Sequence, residues 1–310
     1  MARKTPVTDA PPARETDLPA LPAGWFAATY KVLATGELAV ALADVDLGYG
    51  SAEASLSIPR NAQAKICVLG EGQWLEALSF PLGQLRYPEF DQLPDGRWLV
   101  ANARSRGEQN ASIFGLDGFE ERRIVLGDGI AHIQIDRRSN ICVGWFNEGV
   151  FGNANAAWRV EDLQWPPSSY GVAAFDEHGA VLQVADGHVV SDCYALNVWG
   201  DEAWFCPYTD FPICRFRNGS DQAWATELRG PVAVAVRFPL VLAAGGYGED
   251  FNEAVLLMID GEEANVLGTW SLPFGVNDRK SLRYFDGRND TISVVTGDRW
   301  LQWSVEDFLS

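Results

Sequence analysis

Residues 130–148 hold a strand, a tight polar turn over 136–140, a second strand at 141–146 and a polar exit at Asn147, Glu148 and Gly149. Weaker copies of this unit recur along the chain. The first has strands at 26–30 and 37–43, an exit at 44–50, and outer strands at 64–69 and 74–80. The second has strands at 89–93 and 97–101, an exit at 102–106, and an outer hairpin turning on Asp117-Gly118, where Gly tolerates positive φ. The third is the unit above, with an insertion at 153–168 before its outer strands. The fourth covers 192–227, the fifth 232–270 and the sixth 281–303. The sixth predicts strands at 281–285, 291–295 and 297–303, with a turn over 286–290.

Short apolar strands punctuated by Gly, Asp and Asn, repeating at roughly 40 to 60 residues, are the signature of radially repeated sheets. The expectation is an all-β, six-bladed β-propeller, with a seven-bladed ring as the alternative. Helical periodicity is nearly absent; only 153–163 and the C-terminal end can hold a turn of helix. The short sixth unit needs an extra strand, which the segment near Trp25 would supply, removing open sheet edges. Residues 1–22 carry Pro6, Pro11, Pro12, Pro19 and Pro22 among charges and small residues. That composition buries too little apolar area to offset its ordering entropy, so a disordered tail is expected there, with a single propeller domain over 23–310.

The formal net charge is -18, which repels phosphate backbones and anionic bilayers, so nucleic acid and membrane are poor partners and a small molecule or a protein is expected. The first residues lack the apolar core of a secretory signal, so a cytoplasmic location is expected. The five cysteines form no CxxC pair and lie in apolar strand patterns, which reads as buried free thiols.

In a propeller blade, the loop entering the first strand and the loop leaving the second lie on one rim. The exits then gather Asp44, Asp46, Asn102, Arg104, Arg106, Asn147, Glu148, Tyr208, Asp210, Tyr247, Glu249, Asp250, Asp298 and Arg299 around one mouth. His132 and Asp192 start their channel strands near the same rim. Glu148, Asp210 and His132 are the candidate catalytic residues; Arg104, Asn147, Tyr208, Tyr247 and Asp192 are the candidate ligand-binding residues. Clustered carboxylates bind a hard cation such as Ca²⁺, or push one another's pKa apart into an acid and a base. His178 in a hairpin turn and His188 in a polar linker read as solvated. No HExxH, GxSxG or phosphate-binding glycine loop is present.

The runs 90–98, 144–152, 192–198 and 208–212 together resemble a group of uncharacterised bacterial propeller proteins over about residues 86–250. More distantly, the fold is similar to gluconolactonase and strictosidine-synthase-type propellers. Those lactonases hold a channel metal with a Glu, two Asn and an Asp, a set without a residue-by-residue match here. The leading expectation is a propeller that binds a ligand or protein at its channel mouth. The alternatives are a metal-assisted hydrolase or lyase, and an interaction scaffold docking through the 153–168 insertion.

Overall fold

The computed structural model describes residues 6–47, 58–105, 109–152, 160, 163–217, 219–275 and 281–309. Six sheets follow one another in chain order. The first holds β3 (Phe26–Val32), β4 (Leu38–Ala43), β5 (Gln63–Gly70) and β6 (Gln73–Pro81); the second β7 (Pro88–Gln92), β8 (Trp98–Asn102), β9 (Ala111–Phe114) and β10 (Glu120–Ile124). The third holds β11 (Ile130–Ile135), β12 (Ile141–Trp145), β13 (Val172–Phe175) and β14 (Val181–Val184); the fourth β15 (Asp192–Trp199), β16 (Glu202–Tyr208), β17 (Ile213–Arg217) and β18 (Ser220–Trp224). The fifth holds β19 (Ala233–Arg237), β20 (Leu240–Ala244), β21 (Glu253–Asp260) and β22 (Glu263–Ser271); the sixth β23 (Leu282–Arg288), β24 (Thr291–Thr296) and β25 (Arg299–Ser304). This is a six-bladed β-propeller.

The ring closes through side chains. Buried apolar clusters fill each gap between successive sheets. Leu99 and Ile113 meet Ile133 and Val143, for example, and Leu242 and Leu256 meet Ile292 and Val294. The cluster that joins the first sheet to the sixth packs Leu38, Val40 and Cys67 against Val295 and Trp300. Each fully buried aliphatic side chain contributes roughly 1.5–3 kcal/mol.

The turns explain the repeated Asp. Oδ1 of Asp136 accepts from the amides of Arg138 and Asn140 at 2.7 and 2.8 Å, and Asp176 does the same for His178 and Ala180 at 2.8 Å each.

Several expectations change. The tail is not disordered throughout: β1 (Val7–Asp9) pairs in parallel with β22, and β2 (Arg14–Asp17) pairs antiparallel with β25. The strand completing the sixth blade is therefore β2, upstream of the segment near Trp25. Trp303 Nε1 donates to the Pro11 carbonyl and Trp74 Nε1 to that of Pro19, each at 3.0 Å, so proline carbonyls satisfy buried indoles. The sixth blade's inner hairpin turns at Asn289 and Asp290 rather than over 286–290, with β23 running on through Asp286 and Arg288. A short helix, α1 (Asn147–Gly152), occupies the exit of β12. The helical turn anticipated over 153–163 lies almost wholly outside the described residues. All five cysteines are free and buried, as expected. Among the described residues, no helix is long and apolar enough to cross a membrane.

Candidate functional site

The channel is lined by β3, β7, β11, β15, β19 and β23; polar side chains alternate in β7 (Glu89, Asp91), β11 (His132, Gln134) and β23 (Tyr284, Asp286, Arg288). At the ends of these strands facing the inner hairpins the channel is sealed. Arg288 Nη1 donates to Asp91 Oδ2 at 2.9 Å and Nη2 to the Ile135 carbonyl at 2.8 Å, while Asp91 also accepts from the Ile135 amide at 2.7 Å. Gln134 bridges the carbonyls of Leu196 and Gly287, at 2.9 Å each, and accepts from the Val198 amide at 2.8 Å. Asn197 donates to the carbonyls of Val234 and Asn289 at 2.9 and 2.6 Å. Backbones approach so closely here that a Cβ on Gly287 would sit 1.8 Å from the Val234 carbonyl oxygen, so only glycine fits.

One layer above this seal sits a second polar group. Lys31, almost wholly buried, donates to the Ile133 carbonyl at 3.0 Å and lies 3.7 Å from Glu89 and 4.0 Å from Asp286. His132 Nε2 is 3.2 Å from the Tyr194 carbonyl. Burial raises the Glu89 carboxyl above the usual carboxylate range, against the pull of Lys31 and with the push of Asp286. Burial lowers His132 below the usual imidazole value, with Asp286 opposing and Lys31 assisting. Sequence reasoning missed Lys31, Glu89, Asp91, Asp286 and Arg288 as channel groups. Their signal was available: charges at alternating positions inside the first strand of successive units, as in Glu89 and Asp91.

At the other end of the channel the exit loops form a rim, and the second to fifth blades supply its chemistry. Partly buried Asp192 faces Tyr208 across the β15–β16 ladder, and α1, which carries Asn147 and Glu148, packs against β15. Burial is the largest influence raising the Asp192 pKa and Glu148 raises it further, against the Asn147 backbone amide. Four rings adjoin Asp192. Tyr194 stacks on Tyr208 with centroids 6.2 Å apart, meets Phe211 edge-on at 5.1 Å and Tyr247 edge-on at 6.0 Å. Phe211 is the second shared neighbour, 5.7 Å from Tyr208 and 5.8 Å from Tyr247. The Tyr247 hydroxyl donates to that of Tyr194 at 2.7 Å, and burial together with this bond raises its pKa. Tyr208 and Tyr247 remain 43% and 48% exposed, so their rings are presented at the surface while Phe211 is buried beneath.

Of the residues expected at the mouth, Asn147, Glu148, Asp192, Tyr208 and Tyr247 come together. Arg104 stands nearby over the Phe146 ring at 5.1 Å, but its guanidinium is already held by Asp128 at 3.2 Å. Asp210 lies in the exposed turn between Tyr208 and Phe211, where Asp210 and Phe211 both have positive φ (67° and 50°). His132 lies deeper, on the channel wall. Asp44 is used by the Gln63 amide at 2.9 Å, and Arg299 pairs with Glu15 on the outer edge of the sixth blade at 3.2 Å. Arg106 lies outside the described residues. Among the described residues no group of three or more His, Cys, Asp or Glu side chains is placed to hold a metal ion. His188 is not free in solvent: its ring lies 6.4 Å from Phe205 and its Nε2 is buried.

A separate cleft of about 590 Å³ lies away from the mouth, lined by Phe80, Leu82, Val100, Asn102, Phe114 and Arg123 of the first two blades. It gathers no titratable cluster comparable to the rim.

No family model and no curated protein sequence matches the chain. Solved structures do. BamB from Moraxella catarrhalis superposes with a TM-score of 0.50 at 10% identity, over 97% of this chain and 92% of that one. The β-propeller domain of Cps50 (Swd1) from Myceliophteria thermophila gives 0.48 at 9%, over 94% and 99%. The extracellular domain of a putative one component system from B. thetaiotaomicron gives 0.48 at 9%, covering 90% of this chain; the chain spans 33% of that domain. The likeness is one of fold. A gluconolactonase-type relationship is not shown by these matches.

Proposed function

We propose that this propeller is a binding module that receives a small molecule at its exit-loop mouth. One observation carries the reading: Tyr208 and Tyr247, each roughly half exposed, pack on partly buried Tyr194 and buried Phe211 beside Asp192. Large rings with few rotatable bonds provide contact area at low entropic cost, and adjacent polar groups fix orientation. The sealed far end of the channel supports the same reading, because it leaves the rim as the accessible end.

Ligand-observed NMR with a mixed fragment set of amines, carboxylates, sugars and aromatics tests it. Some fragments should bind the wild-type chain and lose binding in Tyr247→Ala and Tyr208→Ala, with circular dichroism unchanged. Fragments that bind equally well to both variants, or no binding by any fragment, would overturn the reading.

A further inference from the structure

We infer that the mouth takes an organic cation, a small molecule bearing an alkylated ammonium group; this rests on the binding reading above and narrows its ligand class. Two features of the rim converge. The first is the aromatic surface. Tyr208 and Tyr247 present ring area outward, and the negative face of a π system attracts a cation that has little hydration to lose. The second is the charge beside it. Asp192 and Glu148 lie together, and among the described residues no Lys or Arg forms an ion pair with either. The neighbouring cation, Arg104, is instead held by Asp128. Asp192 stands directly opposite Tyr208 across the β15–β16 ladder, so the carboxylate and the rings act on one volume.

The two act together: a partly buried carboxylate near a second one carries like-charge repulsion. A cation seated on the rings offsets that repulsion. An anion meets two carboxylates, and a neutral ligand of the same shape gains the ring contact without the charge. The surrounding field agrees in sign, since the chain's formal net charge is -18.

Rim geometry also selects among cations. Phe211 is buried under the outer rings and Tyr194 is partly buried, so the surface offered is aromatic. Among the described residues no group of three or more His, Cys, Asp or Glu gathers at this rim as a metal ion would favour. An alkylammonium group needs ring faces and one or two carboxylates, which this rim supplies.

The test uses choline, its neutral isostere 3,3-dimethylbutan-1-ol, and anionic 3,3-dimethylbutanoate, titrated into the full chain by NMR at constant ionic strength. Choline should bind about tenfold or more tightly than the neutral isostere, a discrimination in the range of a cation–π contact reinforced by charge. Asp192→Asn should reduce choline affinity about five- to tenfold and leave the isostere unchanged. Tyr247→Phe, which keeps the ring, should retain binding, and Tyr247→Ala should lose it.

Equal binding of choline and the isostere, or no effect of Asp192→Asn, overturns the cation assignment while the binding module stands. So does the case in which fragments of other classes bind at Tyr247 but choline does not. A peptide carrying trimethyl-lysine that binds where choline fails overturns the small-molecule assignment. Failure of every probe and every fragment removes both readings.

Discussion

Arg288 and Asp91 meet at the sealed end of the channel, Nη1 to Oδ2 over 2.9 Å, with both side chains excluded from water. They come from the sixth and second sheets, 197 positions apart, so their contact ties together two blades that are not neighbours in the ring. A buried pair of this kind gains little over a well-packed apolar substitute, but losing one partner strands a charge. Asp91→Ala should therefore destabilise by roughly 3–5 kcal/mol, measured by urea denaturation. Asp91→Ala combined with Arg288→Met should recover part of that loss. A double variant no better than Asp91→Ala alone would show that the pair acts through the Ile135 backbone bonds instead.

The N-terminal segment seals the ring's last edges. β2 covers β25, and Arg14 Nε donates to Gln302 at 3.0 Å while Leu18 and Leu21 pack into the cluster joining the first and sixth blades. Deleting residues 1–22 removes these contacts and uncovers the outer edge of β25. The shortened chain should lose about 3 kcal/mol or more, counting hydrogen bonds at about 1 kcal/mol each and partial Leu burial. It should also self-associate at concentrations where the full chain does not. Thermal melts and sedimentation measure both, and an unchanged midpoint would show that the clasp is dispensable.

Blade number and order were legible because each unit announces its turns. Asp95 and Asp117 in the second blade, like Asp136 and Asp176 in the third, accept from amides of their own hairpin turns, so the recurring Asp marks the hairpins of successive sheets. The clasp was hidden because proline-rich, polar 1–22 has the composition of an unstructured tail; its order comes from Trp74, Trp300 and Trp303, which lie far along the chain. The sealed channel was hidden for a related reason. Asp286-Gly287-Arg288 reads as a turn when its partners are unknown, and those partners, Lys31 and Asp91, sit in other blades. At the mouth, topology alone placed Asp192 with Tyr208 and Tyr247, whereas the roles of Tyr194 and Phe211 depend on ring packing that no local pattern encodes.

The thiols should be chemically silent in the folded chain. Burial raises all five, with Cys214 pushed up to about 12, so thiolate is scarce at neutral pH. Fewer than one thiol per chain should react with Ellman's reagent natively, and all five should react in denaturant. Rapid native modification of Cys142 or Cys193 would mean that the third and fourth blades open.

His132 sets a pH dependence whose sign is fixed by its surroundings. Burial is the largest influence lowering its pKa, Lys31 acts in the same direction, and Asp286 and the carbonyls of Tyr194 and Cys193 oppose them. The unfolded chain takes up a proton as pH falls through about 6.5, whereas the folded chain holds the imidazole neutral to lower pH. The unfolded state thus binds more protons in that window. The stabilising contribution is complete above about 6.5 and is lost as pH falls toward the folded value. Glu89, raised by burial, works the other way: its contribution is present at low pH and is lost as pH rises through its elevated folded pKa. Urea denaturation at pH 8 and pH 5.5 separates the two. The wild-type chain should lose up to about 1.4 kcal/mol more than His132→Gln between those values. The difference between wild type and Glu89→Gln should run in the opposite sense. A His132→Gln profile parallel to wild type would place the imidazole in water rather than on the channel wall beside Lys31.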